Sequence, residues 1–232
     1  MGIVRAQQNN SIKMKTLRMF GMAMVAIVMG VSLASCSKDE KPENNGDFSN
    51  EKKLVKMVNS SETFTFTYDS EGRLSKATLA EMWNGELMEG EWQLVWGDDA
   101  IKIDDCTLTI KNGLVQSSSK GETFAYNSSN RIIKYDSSTA IWDNDKLVSA
   151  GDFTLTYGES CKKGYFPLIP FMIGDYYQGS AILYFAHPEI AGMRTKQLPT
   201  GMNGRTLSYE FDKDGYITKI DLGGLGYTLT WE

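Results

Sequence analysis

Histidine is almost absent from this sequence. His187 is the only one, and its neighbours Ala186 and Pro188 supply neither a nucleophile nor a metal ligand. A histidine-based catalytic triad or zinc site is therefore not expected. Cysteine is scarce as well, with only three residues. Cys36 belongs to a targeting motif described below, and Cys106 and Cys161 either form a disulfide or stay separate as small buried residues.

Acidic residues are missing from the first 35 positions, which carry only basic charges at Arg5, Lys13, Lys15 and Arg18. An apolar run from Met19 to Ala34 follows, and it has the length of a signal-peptide core rather than of a membrane-spanning helix. The run ends in Leu-Ala-Ser-Cys, which resembles the bacterial lipobox. We predict that residues 1–35 are a lipoprotein signal peptide and that Cys36 carries the lipid. Met14 is an alternative start of the leader.

Charged residues follow the cysteine at once. Lys38, Asp39 and Glu40 resemble the surface-export signal of Bacteroidetes lipoproteins, and the alternative is a plain solvated tether. Residues 36–52 are too polar to be buried and are predicted to form a flexible tether. The predicted location is the outer membrane, lipid-anchored and facing the cell exterior.

Basic residues are fewer than acidic residues in the part of the chain that follows the leader. The whole chain has 24 Lys and Arg against 29 Asp and Glu. Without the four basic residues of the leader, 20 remain against 29, a net charge of −9. This balance gives no reason to expect nucleic acid or anionic lipid head groups as partners. Contact with the membrane is expected through the lipid anchor alone.

From residue 53 onward, the sequence alternates with period two, as in Thr63–Tyr68, where aromatic residues and threonines take turns. Three segments share an aromatic residue, a polar turn and then an aliphatic residue: Tyr68–Leu74, Tyr126–Ile132 and Phe211–Ile217. Their fifth residues are Gly72, Asn130 and Gly215, types that tolerate a positive φ. The repeat therefore predicts β-hairpins whose turns end in a left-handed residue.

We predict an all-β fold for residues 53–232, an antiparallel meander of repeated hairpins forming a curled or partly barrel-like sheet. One irregular or helical insertion is expected near 165–200, where four of the five prolines lie among apolar clusters. A short helix or turn around Asp175–Ala186 is expected to lie over one face of the sheet, because exposing so many apolar side chains would be costly.

The repeated phrase Tyr-Asp-x-x-Gly-Arg-Leu, best seen at Tyr68–Leu74, resembles the YD repeats of Rhs-type and teneurin-like shells. Together with the lipobox, Leu198-Pro199 and the segment Tyr209–Lys219, it resembles a family of Bacteroidales surface lipoproteins of unknown function. The resemblance implies a β fold and a surface location. It implies no catalytic activity and no cofactor.

The acids do not form a recognisable catalytic or calcium motif. Most acidic pairs lie at predicted hairpin tips, where Asp and Asn bond the turn backbone: Asp98-Asp99, Asp143-Asn144-Asp145 and Asp212-Lys213-Asp214. No complete calcium loop is present, so no metal site is predicted. Because the acids are explained by the turns, no catalytic residue is predicted either. Trp83, Trp92 and Trp96 are either sheet core or a platform for a ligand.

These features predict a non-enzymatic, surface-anchored β scaffold whose partner is a glycan or an envelope protein. The alternative is a carbohydrate-active hydrolase that uses paired carboxylates, which would have to converge in one cleft about 5–9 Å apart.

Overall fold

The fold was analysed in a computed structural model, which describes residues 52–158, 165–173 and 179–232. Seventeen strands lie in these ranges: β1 Leu54–Val58, β2 Glu62–Tyr68, β3 Leu74–Trp83, β4 Glu86–Trp96, β5 Ala100–Ile103, β6 Cys106–Lys111, β7 Leu114–Ser118, β8 Phe124–Tyr126, β9 Ile132–Tyr135, β10 Ser138–Asp143, β11 Lys146–Ala150, β12 Phe153–Thr156, β13 Gly201–Met202, β14 Arg205–Thr206, β15 Ser208–Phe211, β16 Ile217–Asp221 and β17 Gly226–Trp231. The helices are α1 Ile169–Ile173, α2 Gly179–Ala186 and a 3₁₀ helix, Pro188–Ala191.

The strands form two antiparallel sheets. The first has ten strands in the order β15-β16-β17-β1-β2-β3-β4-β5-β6-β7, and the second has seven in the order β14-β13-β12-β11-β10-β9-β8. Nearly every strand pairs with its neighbours in sequence, and the last strand, β17, returns to pair with β1. The predicted all-β meander with a helical insertion is confirmed. Its strands are divided between two sheets, whereas the sequence suggested one.

Alternation along β2 has the predicted result. Phe64 and Phe66 are buried, and Tyr68 on the same face is half-buried. Thr63 and Thr65 point to the opposite face, where Thr65 bonds Thr78 of β3. Successive side chains of a strand point to opposite sides, so the aromatic face becomes core.

The three repeated turns have one hydrogen-bond network. In the first, the Asp69 side chain accepts from the N–H groups of Glu71 and Arg73, and the Gly72 N–H donates to the Asp69 carbonyl. The same bonds recur around Asn127 and Asp212. The fifth residues have φ of 78° at Gly72, 59° at Asn130 and 90° at Gly215, which confirms the predicted left-handed positions. An acceptor side chain at the second position therefore defines this turn.

Next to each turn, the backbone accepts a hydrogen bond from a tryptophan farther along the chain. The indole N–H donates to the carbonyl of the aliphatic residue that follows the turn, at 2.6–2.8 Å in all three repeats: Trp96 to Leu74, Trp142 to Ile132 and Trp231 to Ile217. Because the strand on that side has ended or turned away, the indole replaces a missing ladder bond. Three of the five tryptophans are thereby structural.

The insertion lies between the two sheets. Residues 181–185 of α2 are all buried, and the helix contacts β3 and β6 while α1 contacts β10 and β11. The ring of Phe185 packs 5.6 Å from that of Phe64 in the first sheet, and Tyr184 packs 6.4 Å from Tyr135 in the second. The prediction that the helix lies over one face of a single sheet is therefore wrong. A helix that is apolar all round needs cover on every side, and the two sheets supply it.

Candidate functional site

A cavity of about 310 Å³ lies where the first sheet meets the end of the insertion. It is bordered by the start of β1, the end of β2, the segment around the 3₁₀ helix and the turn before β16. Aromatic side chains supply much of its wall: Tyr68, Tyr165, Phe185, Phe211, Tyr216 and Trp231. Its charged residues are Lys52, Lys53, Glu189, Arg194 and Asp214. Apolar walls with a few polar groups are typical of small-molecule sites.

His187 forms part of the inner wall and is held from two sides. Its Nε2 accepts a hydrogen bond from the Leu74 N–H at 3.0 Å, and its Nδ1 lies 3.1 Å from Glu189 Oε1. An Nε2 that accepts carries no proton, so Nδ1 is the donor to Glu189. The Trp96 ring packs edge-on at 5.2 Å. The single histidine therefore acts as a structural acceptor for the first turn, and the sequence offered no sign of this role.

Tyr165, one of the aromatic wall residues, has an unusual hydroxyl group. Its oxygen is buried and has no hydrogen-bond partner among the described residues. Burial raises the pKa of this phenol well above its ordinary value, and the charge of Glu189 raises it further. The group is thus a neutral donor. A buried hydroxyl without a partner costs about 1–3 kcal/mol of stability.

The two lysines of the cavity differ in their surroundings. Lys52 Nζ lies 2.8 Å from Asp212 and 2.6 Å from Asp214, and these hydrogen bonds raise its pKa above the ordinary value of 10.5. Lys53 Nζ lies over the Tyr68 ring at 5.6 Å and makes no ion pair with any acid in the described ranges. Lys53 is therefore a cation of the cavity wall that remains available to a ligand.

The three candidate platform tryptophans are spread along the first sheet. The Trp96 indole N–H donates to the Leu74 carbonyl, and Trp92 is half-buried opposite Ala77. Trp83 lies opposite Glu86 at the tip of the β3–β4 hairpin and is 46% exposed. Six residues separate Trp83 from Ala77 on β3, about 20 Å along an extended strand. No single small ligand could contact all three rings.

Asp98 and Asp99 of the first predicted tip are exposed, whereas Asp214 of the last one borders the cavity. Asp104 and Asp105, in the turn between β5 and β6, are exposed as well, and Asp105 pairs with Lys120. Among the described residues, no group of three His, Cys, Asp or Glu could hold a metal ion. In the same part of the chain, no helix is long and apolar enough to cross a membrane.

Other predicted residues lie outside the described ranges: the lipid-bearing Cys36, the export signal Lys38, Asp39 and Glu40, and Cys161. Cys106 is a buried thiol whose sulfur lies 3.3 Å from the Ser118 hydroxyl.

The fold and the cavity define an all-β protein of two sheets around an apolar helix, with one aromatic-walled pocket at an end of the first sheet. No protein-family model matches the chain, and no curated protein matches it. The solved structures that share its fold include two porin-like proteins. A porin-like protein from Bacteroides uniformis has 19% identity and a TM-score of 0.51, over 78% of this chain and 95% of that one. A porin-like protein from Bacteroides vulgatus has 14% identity and a TM-score of 0.53, over 78% and 99%.

Proposed function

We propose that this chain is a lipoprotein of the outer membrane, anchored through Cys36 and facing the cell exterior, which binds a small saccharide without chemically altering it. The observation that carries the proposal is the aromatic-walled cavity of about 310 Å³, which is lined by both aromatic and charged side chains. Aromatic faces pack on the C–H faces of sugars, and buried donors bond their oxygens. The porin-like structures of matching fold support an envelope location.

Binding is favoured over hydrolysis by the state of the carboxylates. Two acids line the cavity, Glu189 and Asp214. Glu189 accepts from His187, and Asp214 forms an ion pair with Lys52. Paired carboxylates of a glycosidase need one raised pKa and one free oxygen facing the substrate. Each acid instead has an oxygen bound to a partner, the His187 Nδ1 for Glu189 and the Lys52 ammonium for Asp214.

Saccharide binding can be tested by intrinsic fluorescence, because Trp231 lines the cavity while Trp83 lies on a distant hairpin tip. A panel of neutral and acidic monosaccharides is titrated into the mature chain in detergent. We expect at least one sugar to change the emission, Trp231→Phe to remove that change and Trp83→Phe to retain it. Absence of any response, or a response that depends on Trp83, would contradict binding in the cavity.

Anchoring and orientation need separate experiments. Cys36→Ala should release the protein from membranes, whereas Cys106→Ala should leave it in the membrane fraction, because only a lipid-bearing thiol retains the chain. Replacing Lys38, Asp39 and Glu40 by alanine should leave the lipoprotein intact and protect it from protease added to whole cells. Unchanged membrane retention in the first test or unchanged digestion in the second would reject the corresponding step.

A second binding mode is favoured by the tip of the β3–β4 hairpin. Large apolar side chains are exposed there on both faces: Met82, Trp83, Leu87 and Met88. Residues 81–91 also contain four glutamates and no basic residue. An exposed apolar patch with acidic neighbours fits an envelope protein with a basic contact surface. A photo-reactive residue at Leu87 should give a discrete cross-linked adduct in cells, and one at the exposed Ile133 of β9 should not.

A further inference from the structure

The three repeated turns differ at one backbone group. Behind the first turn, the Leu74 N–H donates to His187 Nε2 at 3.0 Å. Behind the second, the Ile132 N–H donates to the Gly192 carbonyl at 3.1 Å. In both repeats, the insertion supplies an acceptor for the amide of the aliphatic residue, while a tryptophan donates to its carbonyl. In these two repeats, both the N–H and the carbonyl of the aliphatic residue are therefore hydrogen-bonded.

The third repeat keeps half of this arrangement. The Ile217 carbonyl accepts from Trp231 at 2.6 Å, as the repeat requires. Among the described residues, no side chain and no loop carbonyl takes the place of His187 or Gly192 for the Ile217 N–H. The turn geometry and strand register of Ile217 match those of Leu74 and Ile132. Its amide therefore faces the corresponding space, which is the cavity that Ile217 and Trp231 line.

Buried backbone N–H groups are almost always paired, so this amide indicates where an acceptor atom of a ligand would lie. A further donor belongs to the same cavity, because Lys53 is one of its lining residues. Lys53 has no acidic partner in the described ranges, while Asp214 is paired with Lys52 and Glu189 with His187. The groups that remain unmatched in the cavity are donors, and one of them carries positive charge.

We infer that the ligand of this cavity is an acidic sugar of the uronic acid class, with an oxygen of its carboxylate or ring accepting from the Ile217 N–H. The inference rests on the proposed saccharide-binding function and specifies its ligand. A carboxylate satisfies a cation and neutral donors together. The volume of about 310 Å³ equals that of roughly ten waters, which suits a monosaccharide of this class.

Galacturonate and galactose are the matched probes, since they differ only at C6, which is a carboxylate in the first and a hydroxymethyl group in the second. Each is titrated into the ¹⁵N-labelled mature chain in detergent, with affinity from calorimetry and the Ile217 amide followed by NMR. We expect galacturonate to bind at least tenfold more tightly than galactose and to shift the Ile217 amide. Equal affinity for the two sugars overturns the acidic specificity and leaves saccharide binding intact. Binding of neither sugar, while another neutral sugar of the panel binds, also overturns only the acidic specificity, and binding of no sugar of the panel overturns both.

A side-chain variant with a control on the same chain completes the test. Lys53→Met should weaken galacturonate binding about tenfold. The control is Lys56→Met, three positions farther along in β1, which is exposed and does not line the cavity. A Lys53→Met variant that binds galacturonate as well as this control overturns the inference.

Discussion

The first and third repeated turns have the same backbone network and the same left-handed glycine, yet one closes onto the core and the other onto a cavity. Behind the first, His187 fills the space between Leu74 and Trp96. Behind the third, the space between Ile217 and Trp231 is part of the cavity. A repeat thus determines the hairpin, while the insertion that packs against it determines whether that position is structural or available for binding.

Removing the acceptor at the first turn should have the largest effect. His187→Leu keeps a buried side chain of similar bulk but leaves the Leu74 N–H without a partner, so we expect the free energy of unfolding to fall by about 2–4 kcal/mol. Urea denaturation measures it. His187→Gln, whose amide oxygen can accept, should recover part of the loss. Equal stability of the leucine and glutamine variants would show that the hydrogen bond is not the cause.

Replacing the two turn glycines by valine should have the next largest effect on stability. Both positions have a positive φ, which a β-branched residue adopts at a cost of about 1–2 kcal/mol. A Cβ at Gly72 would also lie 2.1 Å from Lys53 Nζ, whereas at Gly215 no atom lies within 4 Å. Because the end of the Lys53 side chain can move away, we expect Gly72→Val to lose only slightly more than the about 1–2 kcal/mol of Gly215→Val, by thermal or urea unfolding. A larger loss at Gly215 would contradict this account.

Loss of the tryptophan hydrogen bond should lower stability equally at the first and the third turn. Trp96→Phe and Trp231→Phe each remove one indole donor to a strand carbonyl and should each lower stability by about 1 kcal/mol. Trp83→Phe, at an exposed position, should change stability by less than about 0.5 kcal/mol. If the exposed variant loses as much as the other two, the proposed structural role of the indoles is wrong.

Acid should affect the aspartate turns and spare the asparagine turn, with the smallest effect of the four. The side-chain hydrogen bond from Lys52 and the backbone N–H groups of Tyr216 and Asp214 hold the pKa of Asp212 below its ordinary value of 3.8. A lowered folded pKa gives stability that is present above pH 4 and is lost as the pH falls below it.

Asparagine keeps the accepting oxygen and does not titrate, as Asn127 shows in the second turn. Asp212→Asn should therefore give a flatter stability curve below pH 4 than the parent chain, measured by urea unfolding at pH 2.5 to 6. An unchanged slope would mean that Asp212 does not contribute to the acid sensitivity.

The turns were predictable because their signals are local. An acceptor at the second position and Gly or Asn at the fifth set the backbone within five residues, whatever lies beyond. The alternation of Phe64 and Phe66 predicted the buried face of β2 in the same way. The position of the insertion was not predictable, because the apolar run of α2 shows only that it is buried and not which surfaces cover it.

The sequence by itself determined the hairpins, the left-handed turn residues and the all-β class, since each depends on side chains a few positions apart. Only the tertiary structure decided that His187 serves the first turn, 113 residues away, and that Trp231 serves the third. The physical reason is that a backbone group at a strand end accepts any partner of suitable chemistry. Which partner reaches it depends on how the two sheets close around α2.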